Sequence, residues 1–259
     1  MKLRTKVILA EHHAAMSAMR LAARMGFKKY KTLIEGPSND MTNDQATRAF
    51  MWLYGKAERK AVRKWMESGR GKSYLDVGAG QGRFSAMAME TGASRVTALD
   101  INENCIAMLK KKGFDVRNMD ARDLGEFSDN SFDRTMIFGN TLAGMYEGWH
   151  GGEKSFQVEI LREMLRVAKE EVAITLQRPD SLLFMLQYYR MNGLEVYGYD
   201  DESGIKRIKM RKPGETLEFR SQHFRKEQIE KLLKEVGVSE GQYEIKPINM
   251  LNWMVVIRK

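Results

Sequence analysis

The feature that most constrains the fold of this chain is an alternation of short apolar segments with helical segments between residues 73 and 177. The apolar segments have the length of single β-strands, and most of the connections between them are long enough for a helical crossover. The strands are predicted at 73–78, 95–100, 114–120, 131–140 and 171–177, and the helices at 83–91, 103–112 and 153–169. Strands that alternate with helices form a parallel sheet with right-handed crossovers, so we expect an α/β fold.

The segments that flank this alternation have other patterns. Before it, helices are predicted at 5–25 and 45–67 with a turn-rich connection at 36–44; after it come a helix at 180–192, polar β-like segments at 195–220, a helix at 223–238, and strands at 243–248 and 252–259. The last two strands are joined by too short a link for a parallel crossover, so we expect them to be antiparallel. We therefore predict an N-terminal helical extension, residues 1–72, that packs on a domain of residues 73–259, in which residues 180–222 form a lid-like insertion.

The first predicted helix has an apolar face that recurs at helical spacing. Its members are Val7, Ile8, Ala14, Ala15, Ala18, Leu21, Ala22 and Met25.

Charge and cysteine content narrow the function classes. The chain carries a net charge of +9, and residues 1–72 alone carry 16 Lys and Arg against 6 Asp and Glu. Such a segment either attracts phosphate groups, anionic lipid or an acidic substrate, or forms solvated helix faces. The single cysteine, Cys105, excludes an intrachain disulfide and a cysteine-based zinc site. No apolar run is long enough to span a membrane. A single cysteine is typical of a reducing compartment, so we expect a cytoplasmic protein, and we expect no bound metal.

The motif with the most direct chemical meaning is LDVGAGQGRF, residues 75–84. Gly78, Gly80 and Gly82 lie between a predicted strand and a predicted helix, where glycine permits positive φ and close approach of a ligand to the backbone. The free N–H groups of the following helix suit a nucleotide-like ligand. The spacing is GxGxG and not GxGxxG, which counts against a nicotinamide dinucleotide.

Two carboxylates follow the next two predicted strands. Asp100 ends the second strand, where an acid can accept hydrogen bonds from both hydroxyl groups of a ribose. Its alternative role is to cap the following helix, although Asn102 is better placed for that. Asp120, followed by Ala121, ends the third strand, where an acid can accept a hydrogen bond from an adenine amine.

Together these strand ends resemble the class I S-adenosylmethionine (SAM)-dependent methyltransferases over residues 73–177. The resemblance implies a doubly wound, Rossmann-like, seven-stranded sheet with an antiparallel last strand, and transfer of a methyl group from SAM with S-adenosylhomocysteine (SAH) as product. It also implies a set of cofactor-binding residues, which are Asp76, Gly78, Ala79, Gly80, Gly82, Asp100, Ile101, Asp120, Ala121 and Gly139.

The methyl acceptor is predicted from the segments after the fourth and fifth strands. FGNTLAGM, residues 138–145, lacks the Asn/Asp-Pro-Pro-aromatic motif of enzymes that methylate base amines, and is similar to the corresponding segment of glycine N-methyltransferase-like enzymes. This resemblance implies that Asn140 and Arg178 act in catalysis, with the guanidinium binding a substrate carboxylate; a surface ion pair is the alternative for Arg178. His150 is a candidate general base or an exposed loop residue.

We therefore predict a methyltransferase that acts on a small molecule, at nitrogen. The aromatic residues of the lid-like insertion would surround the acceptor or simply pack; they are Tyr188, Tyr189, Tyr197, Tyr199 and Phe219. The alternatives are an RNA or ribosomal methyltransferase that uses the basic N-terminal segment, a protein methyltransferase, and a cofactor-binding protein without catalysis.

Overall fold

The computed structural model of the chain describes residues 3–25, 45–147, 154–191, 193–212 and 215–259. The helices are α1 (Leu3–Arg24), α2 (Gln45–Glu67), α3 (Arg83–Glu90), α4 (Glu103–Lys111), α5 (Gln157–Val167), α6 (Leu182–Met191) and α7 (Lys226–Glu235). The strands are β1 (Ser73–Val77), β2 (Arg95–Asp100), β3 (Asp115–Asn118), β4 (Phe132–Ile137), β5 (Ala168–Gln177), β6 (Leu194–Tyr199), β7 (Ile205–Lys212), β8 (Glu215–Gln222), β9 (Tyr243–Pro247) and β10 (Asn252–Arg258). The predicted connection at 36–44 and His150 lie outside the described residues.

The larger sheet has seven strands in the order β3-β2-β1-β4-β5-β10-β9. The first five strands in this order pair in parallel, and β9 pairs with β10 in antiparallel. The predicted fold class is therefore confirmed. The chain order of the strands reverses between β1 and β4, and the carboxyl ends of strands at such a point form the crevice where α/β proteins bind ligands.

The described residues divide into two compact units. One contains those of Met1–Lys56, Gly144–Ser155 and Gln177–Arg225, with α1, α6 and the antiparallel three-stranded sheet β6-β7-β8. The other contains Ala57–Ala143, Phe156–Leu176 and Lys226–Lys259, with the seven-stranded sheet. We call them the small-sheet unit and the large-sheet unit. The predicted boundary at residue 72, the packing of residues 1–72 and the lid role of residues 180–222 stay predictions.

In the large-sheet unit, the last three turns of α2 are fixed to the sheet through a buried guanidinium. Arg134 of β4 donates to the carbonyl oxygen of Trp65 at 2.8 Å and pairs with Glu171 of β5 at 3.0 Å. The Trp65 indole donates to the same Glu171 at 2.9 Å. Around this pair lies a core of buried apolar side chains, so the end of α2 has one defined position on the sheet.

In the small-sheet unit, α1 buries a different face from the one predicted. Val7, Leu21 and Met25 are more than half exposed, whereas Leu9 and Met16 are buried. Two polar side chains share the buried face, Thr5 and His12, because each has a hydrogen-bond partner beyond the helix. The predicted helix is present but its predicted apolar face is wrong. None of the helices in the described ranges is both long and apolar enough to cross a lipid bilayer.

Candidate functional site

The glycine loop connects β1 to α3 and is held against β2. The Ala79 N–H donates to the carbonyl oxygen of Leu99 at 2.8 Å. Gly78, Gly80 and Gly82 all have positive φ, at 65°, 55° and 79°. The local sequence therefore requires glycine at these positions for backbone reasons alone.

The glycines differ in the space that a side chain would have at each position. A Cβ at position 82 would come within 2.6 Å of a Leu109 methyl group, so this glycine also permits close packing of α4. A Cβ at position 80 would meet no atom of the described residues within 4 Å. Gly80 therefore faces open space at the carboxyl edge of the sheet, as a ligand-binding loop requires.

Asp100 lies at the end of β2 with both carboxylate oxygens oriented by backbone donors. The Gly80 N–H donates to Oδ2 at 2.8 Å, and the Asn102 N–H donates to Oδ1 at 2.9 Å. The Asn102 side chain caps α4 by accepting from two backbone N–H groups, so Asp100 is not the cap. The next residue, Ile101, is 68 % exposed, which leaves an apolar surface beside the carboxylate.

Asp120 carries a guanidinium partner that the sequence analysis did not foresee. The Arg122 Nε donates to both carboxylate oxygens at 2.9 Å, and the Arg122 backbone N–H adds a third hydrogen bond. These bonds hold the pKa of Asp120 below its usual range. Ala121 is buried beside it. Asp120 is thus an ionised acceptor, and its predicted contact with adenine stays a prediction.

Asp76 is buried in the middle of the crevice region and is bound to α3. The Ser85 hydroxyl donates to its Oδ2 at 2.6 Å. Burial raises the pKa of Asp76 to about 7, even though the hydrogen bonds from Ser85 act in the opposite direction. At neutral pH this carboxyl group can therefore hold or release a proton.

The chain after β4 turns through two residues in the left-handed conformation. Gly139 and Asn140 have φ of 71° and 64°. Glycine adopts this conformation freely, but for asparagine it is uncommon, and its occurrence at a strand end indicates a constrained site. Asn140 was predicted to be catalytic, and the structure places it at the carboxyl end of β4.

This turn is held by a side chain that the sequence analysis missed. Glu58 of α2 accepts from the Gly139 N–H at 3.1 Å and from the Thr175 hydroxyl at 2.6 Å. The guanidinium of Arg83, the first residue of α3, lies 3.4 Å away. The sequence does contain a signal for the buried position of Glu58. It precedes the buried residues Val62 and Trp65 by four and seven residues, so helical spacing puts its charge on the buried face of the helix.

The structure therefore brings together most of the predicted cofactor residues. All of them belong to the large-sheet unit: Asp76 and Asp100 lie in β1 and β2, and the glycine loop, Asp120 and the Gly139–Asn140 turn follow β1, β3 and β4.

Arg178 belongs to the small-sheet unit, so its predicted role alongside Asn140 stays a prediction. Its guanidinium lies 3.2 Å from Asp180, and its carbonyl oxygen accepts from the Ser181 hydroxyl at 2.6 Å. The Arg178 side chain is 23% exposed, whereas that of Asp180 is 63% exposed. A carboxylate ligand would compete with Asp180 for this guanidinium.

The small-sheet unit also buries a lysine that no sequence pattern singled out. Lys206 of β7 is fully buried, and its amine donates to the Gln177 side-chain oxygen at 3.2 Å. Burial lowers its pKa well below the usual value. His223 is also fully buried, and its Nε2 lies 3.2 Å from the Ser181 hydroxyl oxygen. Because that hydroxyl donates to Arg178, His223 must donate through Nε2, which leaves Nδ1 as an acceptor.

The aromatic residues of the predicted lid do not share one environment. Tyr189 and Tyr199 are buried, which raises the pKa of each phenol. Tyr197 is half-buried and lies under the Lys209 amine, 4.1 Å from the ring centre. Tyr189 and Tyr199 therefore act as packing residues in this structure, and a role for the others at an acceptor stays a prediction.

Comparison with known proteins points to the same chemistry as the strand-end motifs. Residues 75–176 match a methyltransferase domain family. The prediction of a resemblance to class I SAM-dependent methyltransferases is therefore confirmed. No curated protein matches the sequence.

Solved structures share the fold over nearly the whole chain. A protein from Pyrococcus horikoshii OT3 is 21% identical with a TM-score of 0.60, over 90% of this chain and 99% of that one. Magnesium protoporphyrin IX methyltransferase from Synechocystis PCC 6803, with bound SAH, is 14% identical with a TM-score of 0.55, over 93% and 98%. The DhpI–SAM–HEP complex is 18% identical with a TM-score of 0.56, over 97% and 98%. The last two of these solved structures contain SAH and SAM, respectively.

Proposed function

We propose that this protein is a SAM-dependent methyltransferase that transfers a methyl group to a small-molecule acceptor at nitrogen. The observation that carries the proposal is the hydrogen bond between the glycine loop and the carboxylate at the end of β2. The Gly80 N–H fixes the Asp100 carboxylate at the point where Gly80 itself faces open space. A carboxylate held in this way keeps its outward lone pairs for the two ribose hydroxyl groups of the donor.

The residues at the carboxyl edge of the large sheet would each bind a different part of SAM. Asp100 would accept from the ribose, and the exposed Ile101 would pack against a planar ring. Asp120 would accept from the adenine amine, and the glycine backbone would lie against the amino-acid part of the donor. When bound, SAM supplies an electrophilic methyl group on a sulfonium. The protein then has only to align the acceptor with the carbon–sulfur bond and exclude water.

Nitrogen as the acceptor atom is proposed from the turn after β4. Asn140 has a left-handed backbone directly after Gly139, whose N–H donates to Glu58 and Thr175. Its amide oxygen would accept from an amine N–H and so orient the nitrogen lone pair. As the resemblance implies, Arg178 would bind a substrate carboxylate, which makes an amino acid or a related amine the proposed substrate class.

Two observations favour a small molecule over RNA or protein. Magnesium protoporphyrin IX methyltransferase and the DhpI complex share the fold over almost their full length. In addition, several cations of the basic N-terminal segment are neutralised within the chain. Arg20 pairs with Glu195, Arg63 with Glu90, and Lys72 with Glu170. A cytoplasmic location stays a prediction.

The donor assignment is tested by calorimetry with SAM and SAH. Asp100→Asn removes the charge but keeps the shape, and should weaken binding of both ligands about 10- to 100-fold, since hydrogen bonds to a charged group contribute about 1.5–3 kcal/mol. Glu103→Gln, an exposed acid on α4, is the matched control and should bind like the wild type. Equal affinity of Asp100→Asn and wild type would reject the assignment.

The acceptor class is tested with methyl-labelled SAM and a cell extract. We expect the label in low-molecular-weight amines, and none when Asp100→Asn replaces the wild type. Label recovered in the RNA or protein fraction would contradict the small-molecule proposal while leaving the donor assignment intact.

A further inference from the structure

The small-sheet unit buries two basic side chains on one face of its sheet. Lys206 of β7 pairs with Ser221 of β8. The pairing continues beyond β8, because the His223 N–H donates to the carbonyl oxygen of Gly204 at 2.9 Å. His223 is therefore two residues beyond the partner of Lys206, and side chains two residues apart on an extended strand point to the same face. Both basic side chains are fully buried.

The hydrogen bonds of these two bases leave nitrogen functions unused. The Lys206 amine donates to the Gln177 side-chain oxygen at 3.2 Å and lies 5.9 Å from the centre of the Tyr189 ring. The His223 Nε2 bonds to the Ser181 hydroxyl at 3.2 Å, but Nδ1 has no hydrogen-bond partner among the described residues. Orphaned buried nitrogens are rare in folded proteins, and a bound ion or ligand is one reason for them.

No acid balances these bases in the part of the chain that the structure describes. Burial lowers the pKa of Lys206 and of His223, and no carboxylate acts against this. The other titratable side chains that face them are two phenols. Tyr189 of α6 lies beside Lys206, and the Tyr199 ring of β6 is centred 5.8 Å from that of His223. Burial raises the pKa of both phenols, so neither supplies a negative charge. Lysine is almost never fully buried unless its charge is paired, so this face is suited to an anion.

We propose that Lys206 and His223 form a binding site for a small carboxylate, and that the ligand binds together with a proton. A carboxylate presents two acceptor oxygens, one for each base. The neutral amine can donate to one oxygen, but Nδ1 of the neutral imidazole is itself an acceptor. A proton taken up from water on either base turns the contact into a charge-assisted hydrogen bond. The proposal lies within the small-sheet unit and does not depend on the SAM assignment.

The first test is thermal unfolding of the wild type at pH 7 with increasing sodium formate or sodium acetate. We expect Tm to rise as for any ligand that binds only the folded state. Acetamide, which has the shape of acetate without its charge, and sodium chloride at the same ionic strength should not reproduce this rise. An equal response to acetamide or chloride would overturn the proposal. No response to either acid would also overturn it, and is the result expected if water alone occupies the site.

Two lysine variants locate the response. Lys206→Met removes the amine but keeps an unbranched side chain, so it should abolish the rise in Tm with acetate. Lys209→Met is the matched control on the same strand, because its amine pairs with Glu218 at 3.2 Å and its side chain is 30% exposed. This control should respond like the wild type. A folded Lys206→Met that keeps the full response to acetate would contradict the proposal.

A pH series on the wild type keeps the test decisive if Lys206→Met fails to fold. The apparent Kd for acetate, obtained from Tm at several concentrations, is compared at pH 7, 8 and 9, where acetate is ionised throughout. Uptake of one proton should raise this Kd by up to about tenfold per pH unit. A Kd that is the same at all three pH values would show that no proton enters with the ligand, and would overturn the proposal. None of these outcomes bears on the donor assignment, which calorimetry with SAM tests separately.

Discussion

His12 is buried as an acceptor, and this makes the stability of the small-sheet unit depend on pH. Its Nε2 accepts from the Val196 N–H of β6 at 3.1 Å, while the neighbouring His13 donates to the carbonyl oxygen of the same residue at 2.8 Å. Burial, together with the positive charges of Arg190 and Arg20, lowers the pKa of His12 to about 4. A protonated His12 could no longer accept this hydrogen bond.

The size of the effect follows from proton linkage. In the unfolded chain His12 takes up a proton near pH 6.5, but in the folded chain only near pH 4. The stabilisation is therefore fully present above about pH 6.5 and is lost as the pH falls towards 4. Because one pKa unit corresponds to about 1.4 kcal/mol, the loss of unfolding free energy is about 3 kcal/mol.

The assay is urea unfolding followed by circular dichroism at several pH values between 7.5 and 4.5. Other groups titrate in this range, so the informative quantity is the difference between the wild type and His12→Gln, which keeps an acceptor but no titratable ring. We expect the variant to lose less stability on acidification, by up to about 3 kcal/mol. His13→Gln serves as the neighbouring control. Parallel pH profiles for wild type and His12→Gln would refute the reasoning.

Three further perturbations have defined outcomes. Lys206 is a buried amine with a lowered pKa, so the unfolding free energy should rise with pH on the alkaline side, up to about pH 10, by up to about 1.4 kcal/mol per pH unit; Lys206→Met should flatten this slope in urea unfolding. Arg134→Met leaves the carboxylate of Glu171 without its buried partner and should lower the unfolding free energy by about 3 kcal/mol, a result that a Tm equal to that of the wild type would contradict. Gly82→Ala clashes with α4 and should lower Tm more than Gly80→Ala, whereas Gly80→Ala should weaken SAM binding by calorimetry even where its Tm is close to the wild-type value.

The sequence predicts the glycine loop and the neighbouring strands because their determinants are local. Positive φ at Gly78, Gly80 and Gly82 leaves glycine as the ordinary choice, and the apolar strands before and after are buried on both faces. The end of β4 was predicted less accurately. The strand was predicted to continue to residue 140, but it ends at Ile137 because Gly139 and Asn140 are left-handed.

The sequence does not predict groups whose environment depends on distant partners. Glu58 binds Gly139 and Thr175, which are 81 and 117 residues away along the chain. In β7, Lys206 is buried while the adjacent Arg207 is exposed, and alternation alone does not say which of two basic residues points inward. The environments of these residues can be identified only from the three-dimensional arrangement of the strands and helices.

The two edges of the large sheet differ in a way that supports the site assignment. At the amino ends of β1 and β4, polar groups are paired: the Ser73 N–H and hydroxyl both bind Asp133, and Lys72 pairs with Glu170. A left-handed asparagine occurs at both edges, Asn130 before β4 and Asn140 after it, so this conformation does not distinguish them. At the carboxyl end, however, β1 carries the buried Asp76, whose pKa is raised to about 7. Buried acids with a raised pKa are common at functional sites, and this one lies on the edge that the glycine loop and Asp100 assign to the donor.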